Sequence, residues 1–481
     1  MKHLLFLAAT LLPSNLSATE VCGAVNDTVH CEPLAPFQPT TEQILFASKV
    51  FDLGERGFDF EMYGNGQKTI LVEGVPFAQY WQLEDDKKYV FHPIVFGRYV
   101  FNSADDKVFQ QNWKELVSKV GIELPNGGLA FYYPNHYPLN RMRGPDLVYS
   151  AISQSEVLAG FLRLHQELQS DETAEMLGKV RDALFFPHDQ GGVDLGVAQL
   201  ELPLFRSNPE IILNGWLHSL LHLNDYAILM NDAQVASYVE QNLEFFADNH
   251  DAWYDHERFI TRYSDTSPHR LVVTPEEAGQ EFTAVYKPKD ARLKSYEIEP
   301  VLDLENRYSG FDVRVNAVNA DNGKITMSLT CSSLFDTYLT SDAAFSVMIR
   351  DGGYSPSRAS PDASGEWQTI VSGEIDGREV AQISLDDKEL ICGYPTNFSK
   401  ANGKNFYHMQ HIVALRYLAE TSAYQNDELD GRISEIAMAW LANNEKFQGE
   451  GLEFEGPQKV LDSINRGKAI VQITDATILL H

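Results

Sequence analysis

Between Phe58 and Phe101 apolar and polar residues alternate, as in KTILVEGV and YVFHPIVF, with turn material at GNG and EDDKK. A period of two predicts strands or a hairpin near the N-terminus. From Asp106 to about Asn249 the spacing widens to that of amphipathic helices. Five are expected in series: VFQQNWKELVSKVG, LVYSAISQSEVLAGFLRLHQEL, ETAEMLGKVRDALFF, EIILNGWLHSLLHLNDYAILM and AQVASYVEQNLEFFADN, joined by loops that carry Gly and Pro. Such a series implies paired helices packed round a common centre. From about Thr274 to Gly403 short runs rich in β-branched and aromatic residues (FDVRVNAV, KITMSLTC, AFSVMIR, WQTIVSGEI, EVAQISL) alternate with Gly, Asp, Asn and Ser turns. That is the pattern of an antiparallel β-sandwich. Helix resumes at Asn405 with YHMQHIVALRYLAET, followed by ELDGRISEIAMAWLANN. A β-module is therefore expected inside a helical domain, in an α+β chain with no solenoid repeat and no low-complexity linker.

Residues 1–18 combine a basic start (Lys2, His3), the apolar run LLFLAATLL, Pro13 and small residues ending at Ala18. They are expected to be a cleavable signal, which implies a periplasmic or secreted protein. The run falls short of the ~20 apolar residues that span a bilayer, so no membrane association is expected after cleavage. Four cysteines fall in two places, Cys22 with Cys31 and Cys331 with Cys392, and an even count behind a signal suggests two structural disulfides. The 481 residues are 44% hydrophobic, enough for two or three domains. The expected boundaries are 19–105 for a β-rich segment, 106–273 for the first part of the helical domain, 274–403 for the β-module and 404–481 for the closing helices and tail.

Lys and Arg number 38 against 68 Asp and Glu, a net charge of −30, which argues against nucleic acid as a partner. An anionic polymer is not thereby excluded, because exposed charges beyond ~8–10 Å are largely screened at moderate salt and only the groove need be positive.

Four segments carry candidate chemistry. Ser150, Ser153 and Gln154 interrupt the apolar face of a helix expected to begin at Val148, which suits either a carbohydrate-lined cavity or ordinary capping and packing. In ELPLFRSNPEIILNGW a loop with Glu201 and Arg206 runs into a helix expected near Pro209, with Asn214 and Gly215 one turn in. AWYDHERFITRY offers Tyr254, Asp255, His256, Arg258 and Arg262, the phenol and guanidinium that chemistry next to a carboxylate requires, or else a wet surface loop. In NFYHMQHIVAL, Tyr407 and His411 stand four apart and His408 and His411 three apart, so they share a helix face. No HExxH motif or neighbouring carboxylate accompanies the histidines, so acid–base roles are preferred to zinc and no metal is expected.

Taken in order, FHPIVFGRY, NGGLAFYY, GPDLVYSAISQSEVLAGFLR, ELP with ILNGWLHSLLHL, WYDHERF and FYHMQHIVAL resemble the catalytic region of the D-glucuronyl C5-epimerase family. The likeness spans Phe91 to Leu415 apart from the β-module, and YSAISQ, LNGW and YHMQHI are its most specific parts. The resemblance implies an (α/α) barrel or toroid preceded by β-structure, acting as an isomerase that converts D-glucuronate to L-iduronate within heparosan and heparan sulfate. It implies a catalytic Glu at Glu201, active-site tyrosines at Tyr254 and Tyr407, and matching positions at His408, His411, Tyr99 and Tyr149. Three departures stand out: Leu202 replaces a family Tyr, the family Arg is displaced by one position so that Arg258 or Arg262 takes its place, and the β-module is extra.

The C5 hydrogen is α to a carboxylate, and its removal builds a second negative charge that an Arg fork would neutralise. Arg258 is the first choice, then Arg262 or Arg206. Inversion needs groups on both ring faces, and Glu201 with Tyr407 is the expected pair, with Tyr254 as phenol donor and His408 or His411 adjusting Tyr407. Gln154 and Asn214 are expected substrate contacts. No cofactor is expected to be required, while a structural calcium and a homodimer are left open. The rival readings are a uronate lyase of (α/α)-barrel type, which begins with the same proton abstraction, and a non-catalytic glycan-binding protein. Another uronate polymer would suit the same residues.

Overall fold

The structure is a computed structural model that describes residues 20–25, 28–33, 36–52, 68–79, 88–134, 147–201, 211–256, 259–265, 269–275, 282–293, 296–298, 314–321, 324–330, 334–341, 345–351, 367–369, 373–375, 378–380, 388–390, 400–401, 404–446, 453–468 and 470–480. The expected signal at 1–18, Leu202, Arg206, Arg258, Cys331 and Cys392 lie outside the described residues. Helices and antiparallel sheets both contribute, as an α+β chain requires.

At the N-terminal end, Glu20–Val25 and Thr28–Pro33 form a hairpin whose register sets Cys22 opposite Cys31. A one-turn helix follows, α1 (Thr41–Ile44), closed by a reciprocal cap between Thr40 and Gln43. Val50–Asp52, Lys88–Phe91, Val75–Gln79 and Thr69–Val72 then make an antiparallel sheet in that order.

The helices are α2 (Pro93–Ser103), α3 (Lys107–Val120), α4 (Ala151–Leu168), α5 (Asp171–Asp182), α6 (Leu213–Met230), α7 (Ala233–Asn249), α8 (Tyr407–Glu420), α9 (Asp427–Ala442) and α10 (Pro457–Asn465). Local chemistry explains their limits. Asp106 caps α3 by accepting from the Val108 and Phe109 amides at 2.7 and 3.1 Å, and Phe109, Trp113, Leu116, Val117 and Val120 form its buried stripe. Each such large apolar side chain gains roughly 1.5–3 kcal/mol on burial. Ser170 caps α5 reciprocally with Thr173.

Helices α2, α4, α6 and α8 lie side by side in that order, and α4, α6 and α8 each pack against the helix that follows. Gly97 and Gly160 let α2 and α4 approach closely, since a Cβ on Gly97 would stand 2.5 Å from the Glu156 carbonyl carbon and one on Gly160 2.6 Å from the Gly97 oxygen.

Three expectations on element limits change. PIVFGRYVF is helix α2, not strand: the alternation of YVF ends at Phe91, and Pro93 opens a helix at its first position, where its missing N–H costs nothing. The helical packing unit therefore begins before residue 105. Helix α4 begins at Ala151 and not Val148, because the Leu147 amide donates to Gln38 Oε1, the Val148 carbonyl accepts from the Tyr133 amide, and Ser150 is extended at φ −127° and ψ 142°. Helix α6 begins at Leu213, and Asn214 stands at its very start, since the Ile212–Ser264 bridge holds the preceding residues extended.

The β-module starts at His269–Pro275, slightly earlier than Thr274. Its strands form one antiparallel sheet of Trp367–Thr369, Phe345–Asp351, His269–Pro275 and Lys388–Leu390, and another of Tyr296–Ile298, Phe282–Pro288, Phe335–Ser341, Lys324–Thr330 and Arg314–Asp321. Among the described residues no helix is long and apolar enough to cross a membrane.

Candidate active site

Residues 253–256 and 259–265 double back on one another and then dock on the start of α6. Tyr254–Asp255 pairs with Ile260–Thr261, with Phe259 in the left-handed region at φ 58°. The extended run then lies against residues 211–213: the Leu213 amide donates to the Tyr263 carbonyl at 2.9 Å, the Ile211 amide to Asp265 at 3.0 Å, and the Trp253 indole to the Ile211 carbonyl at 2.9 Å. This docking carries Tyr263 to the mouth of α6, where its hydroxyl donates to Glu201 Oε1 at 2.8 Å.

Glu201 is 6% exposed and packs on Gly215 of LNGW, whose missing Cβ would stand 2.3 Å from Oε2 and 2.5 Å from Cβ and Cγ of Glu201. Any larger residue at 215 would displace the carboxylate. Beside Gly215, Asn214 is buried, and its Oδ1 has no hydrogen-bond partner among the described residues.

Tyr407, the first residue of α8, brings its half-buried ring within 5.0 Å of Tyr263 at 57°. The next turn is held by Thr261. Its amide donates to His408 Nδ1 at 3.0 Å, and its hydroxyl lies 3.0 Å from the same nitrogen and 2.8 Å from His411 Nδ1. A nitrogen that accepts an amide carries no proton, so His408 is protonated at Nε2, which faces Asn444 Oδ1 at 2.7 Å. Burial lowers the pKa of His408 to about 4, and that of His411 well below the usual value, with His408 adding to the latter. Both rings are therefore neutral near pH 7. His411 Nε2 is buried with no hydrogen-bond partner among the described residues. Carboxylate, two phenols and a neutral imidazole thus surround the starts of α6 and α8, a set able to take and return a proton.

The other sequence candidates are placed differently. Tyr254 lies flat on Trp440 of α9 at 5.5 Å and 3°, with its pKa raised by burial and partly offset by Asn443, so the phenol that reaches Glu201 is Tyr263. Arg262 is half-buried: its amide donates to the Trp253 carbonyl at 2.7 Å, and its Nε is buried with no hydrogen-bond partner among the described residues. Gln154 is wholly buried, donating to the carbonyls of Leu129 and Val180 at 2.8 and 2.9 Å and accepting from the Phe131 amide at 3.3 Å, so it holds the main chain together. Tyr149 is likewise buried and donates to the Ala183 carbonyl at 2.8 Å. Tyr99 packs edge-on to Phe109 and lines a surface hollow with Glu73, Asp106 and Lys119. Ser153 bonds back to the Ser150 carbonyl, an ordinary helix-start contact.

Sequence reading missed Tyr263 and Thr261, although both stand in ITRY, two apart, the spacing that puts side chains on one face of an extended segment. Among the described residues no group of three or more His, Cys, Asp or Glu is arranged to hold a metal ion. Comparison with protein-family models, with curated proteins and with solved structures found no match.

Proposed function

We propose that this chain is a uronate C5-epimerase acting on an anionic polysaccharide of heparosan type, converting D-glucuronate to L-iduronate. The observation that carries the reading is the meeting of Glu201, Tyr263 and Tyr407 at the starts of α6 and α8. Glu201 and Tyr407 are the residues that the resemblance to the D-glucuronyl C5-epimerases makes catalytic. The side-by-side order of α2, α4, α6 and α8 supports an (α/α) toroid with the cleft at their N-terminal ends.

In this reading Glu201 and Tyr407 flank C5, one taking up the C5 proton as base while the other, as acid, delivers its own solvent-derived proton to the opposite ring face; proton exchange with water then resets the pair. Tyr263 steadies the Glu201 carboxylate, and Thr261 holds His411 close behind Tyr407. Each well-placed acid or base contributes roughly 10²–10⁴-fold. No cofactor enters these steps. Export through a cleaved signal, and disulfides Cys22–Cys31 and Cys331–Cys392, belong to the same proposal, the first pair being supported by its cross-strand register.

The test is incubation of the protein with heparosan in D₂O, following deuterium at C5 by NMR and ultraviolet absorbance from a new C4–C5 double bond. Deuterium with iduronate signals and no absorbance is the expected result. Absorbance would make the protein a lyase, and exchange at no uronate of any polymer offered would end the catalytic reading.

A further inference from the structure

Thr261 sits between two buried histidine rings, and the protons available to the group decide which nitrogen of each ring carries one. Thr261, His408 and His411 are all buried, and burial keeps both rings neutral near pH 7. The Thr261 amide can only donate, so His408 Nδ1, 3.0 Å away, is an acceptor and that ring's proton is on Nε2. Asn444 agrees: its Nδ2 donates to Met409 Sδ at 3.7 Å, which turns Oδ1 toward His408 Nε2 at 2.7 Å. The Thr261 hydroxyl has one proton and two contacts, with His408 Nδ1 at 3.0 Å and His411 Nδ1 at 2.8 Å. If that proton went to His411, the hydroxyl oxygen and His408 Nδ1 would face each other lone pair to lone pair. Directed the other way, the proton shares His408 Nδ1 with the amide, and Thr261 Oγ1 accepts from His411 Nδ1–H. Each of the four contacts then holds one proton.

This group of contacts joins the two halves of the candidate site. Thr261 stands two residues before Tyr263, whose hydroxyl reaches Glu201, and its strand is held by pairing with Tyr254–Asp255 and by the Leu213 amide on the Tyr263 carbonyl. His408 directly follows Tyr407, and His411 stands one turn further along α8. One hydroxyl therefore bonds the strand that carries Tyr263 to two places at the start of the helix that carries Tyr407.

We infer that Thr261 is a positioning residue: its hydroxyl holds His411 in the form protonated at Nδ1 and clamps the start of α8, and Tyr407 with it, against the strand that presents Tyr263 to Glu201. The effect on turnover rests on the proposed reaction, whereas the proton positions do not. In this form His411 Nε2 bears a lone pair, so the neutral ring can take a proton but not give one at that nitrogen.

The test is NMR of the full chain with isotope-labelled histidine ring nitrogens, in which protonated and bare nitrogens resonate far apart, with His408→Gln and His411→Gln to assign the two rings. The wild type should carry the His408 proton on Nε2 and the His411 proton on Nδ1. Thr261→Val keeps the side-chain shape and the backbone amide but removes the hydroxyl. It should leave the His408 signals as they are and free His411 to exchange between its two neutral forms, so that its nitrogens average. It should also lower kcat for deuterium incorporation at C5 of heparosan about tenfold, the contribution of one hydrogen bond, with KM little changed. Thr261→Ser should restore both the ring signals and the turnover. A wild type with the His411 proton on Nε2, or Thr261→Val with unchanged His411 signals or wild-type turnover, overturns the clamp. A wild type with the expected proton positions that exchanges no C5 proton would sink the proposed reaction and leave the hydrogen-bonded clamp standing.

Discussion

Replacing Tyr263 with Phe removes one oxygen and leaves the ring, its 5.0 Å contact with Tyr407 and the backbone bond to Leu213 in place. What is lost is the donor 2.8 Å from Glu201 Oε1. A hydrogen bond to a charged group contributes about 1.5–3 kcal/mol, and at 1.4 kcal/mol per factor of ten that is roughly 10- to 150-fold. The charge on Glu201 changes as the proton moves, so the loss should fall on kcat more than on KM. An ionised Glu201 without its donor is harder to maintain, so the acid limb of kcat/KM should also move to higher pH. The assay is deuterium incorporation at C5 of heparosan as a function of pH, with a thermal melt to show that Tyr263→Phe folds. Tyr254→Phe is the control, because that ring stacks on Trp440. A Tyr263→Phe enzyme with wild-type turnover and an unmoved acid limb, beside an inactive Tyr254→Phe, would refute the assignment and restore Tyr254 as the phenol.

Tyr407→Phe should lower turnover at least ~10²-fold while heparosan binding by calorimetry stays nearly unchanged. Gly215→Ala should abolish exchange at C5, because the new Cβ falls 2.3 Å from Glu201 Oε2; the strain of about 1–3 kcal/mol, read from a urea midpoint, is partly offset by the better helix propensity of Ala. Lys468 and Asp225 form a fully buried ion pair at 2.7 Å, so Lys468→Met should cost about 3–5 kcal/mol in urea unfolding, with much of it recovered in Lys468→Met/Asp225→Asn. The fold depresses the pKa of His408 from 6.5 to about 4, so its contribution is fully present above pH 6.5 and lost as pH falls toward 4, roughly 3 kcal/mol in all. Urea midpoints should therefore drop between pH 7 and pH 4, and a His408→Gln protein whose midpoints drop as steeply would show that the proton is taken elsewhere.

How much of this was legible in the sequence depends on whether a residue's role is local. Helices α3, α5 and α7 were readable because caps such as Asp106 and Ser170 and stripes such as Phe109, Trp113, Leu116 and Val120 are set by neighbours in the chain. Helix α2 was not, since FHPIVFGRY is apolar on nearly every side, as a helix buried between a sheet and α4 must be, and such a run has no amphipathic period to distinguish it from strand. The site followed the same division. Glu201, Tyr407 and His411 were singled out because they stand in motifs, whereas Thr261 and Tyr263 reach their partners 62 to 150 residues away in the chain.

Under the proposed reading, Leu202 stands where the resembled family has a Tyr, and the same terms account for it. The chemistry attributed to the family places a phenol beside the catalytic carboxylate, and here the residue next in sequence cannot supply one. Chain proximity is not required, only a donor within hydrogen-bond reach of Oε1, and Tyr263 meets that condition. Its approach depends on the bonds by which Trp253, Tyr263 and Asp265 dock on Ile211 and Leu213 at the start of α6. Those contacts belong to the segment that leads into the β-module at His269. Tyr263 and the β-module are thus parts of one stretch of chain, and a change that loosened the docking of Asp265 on the Ile211 amide should act on Glu201 through Tyr263.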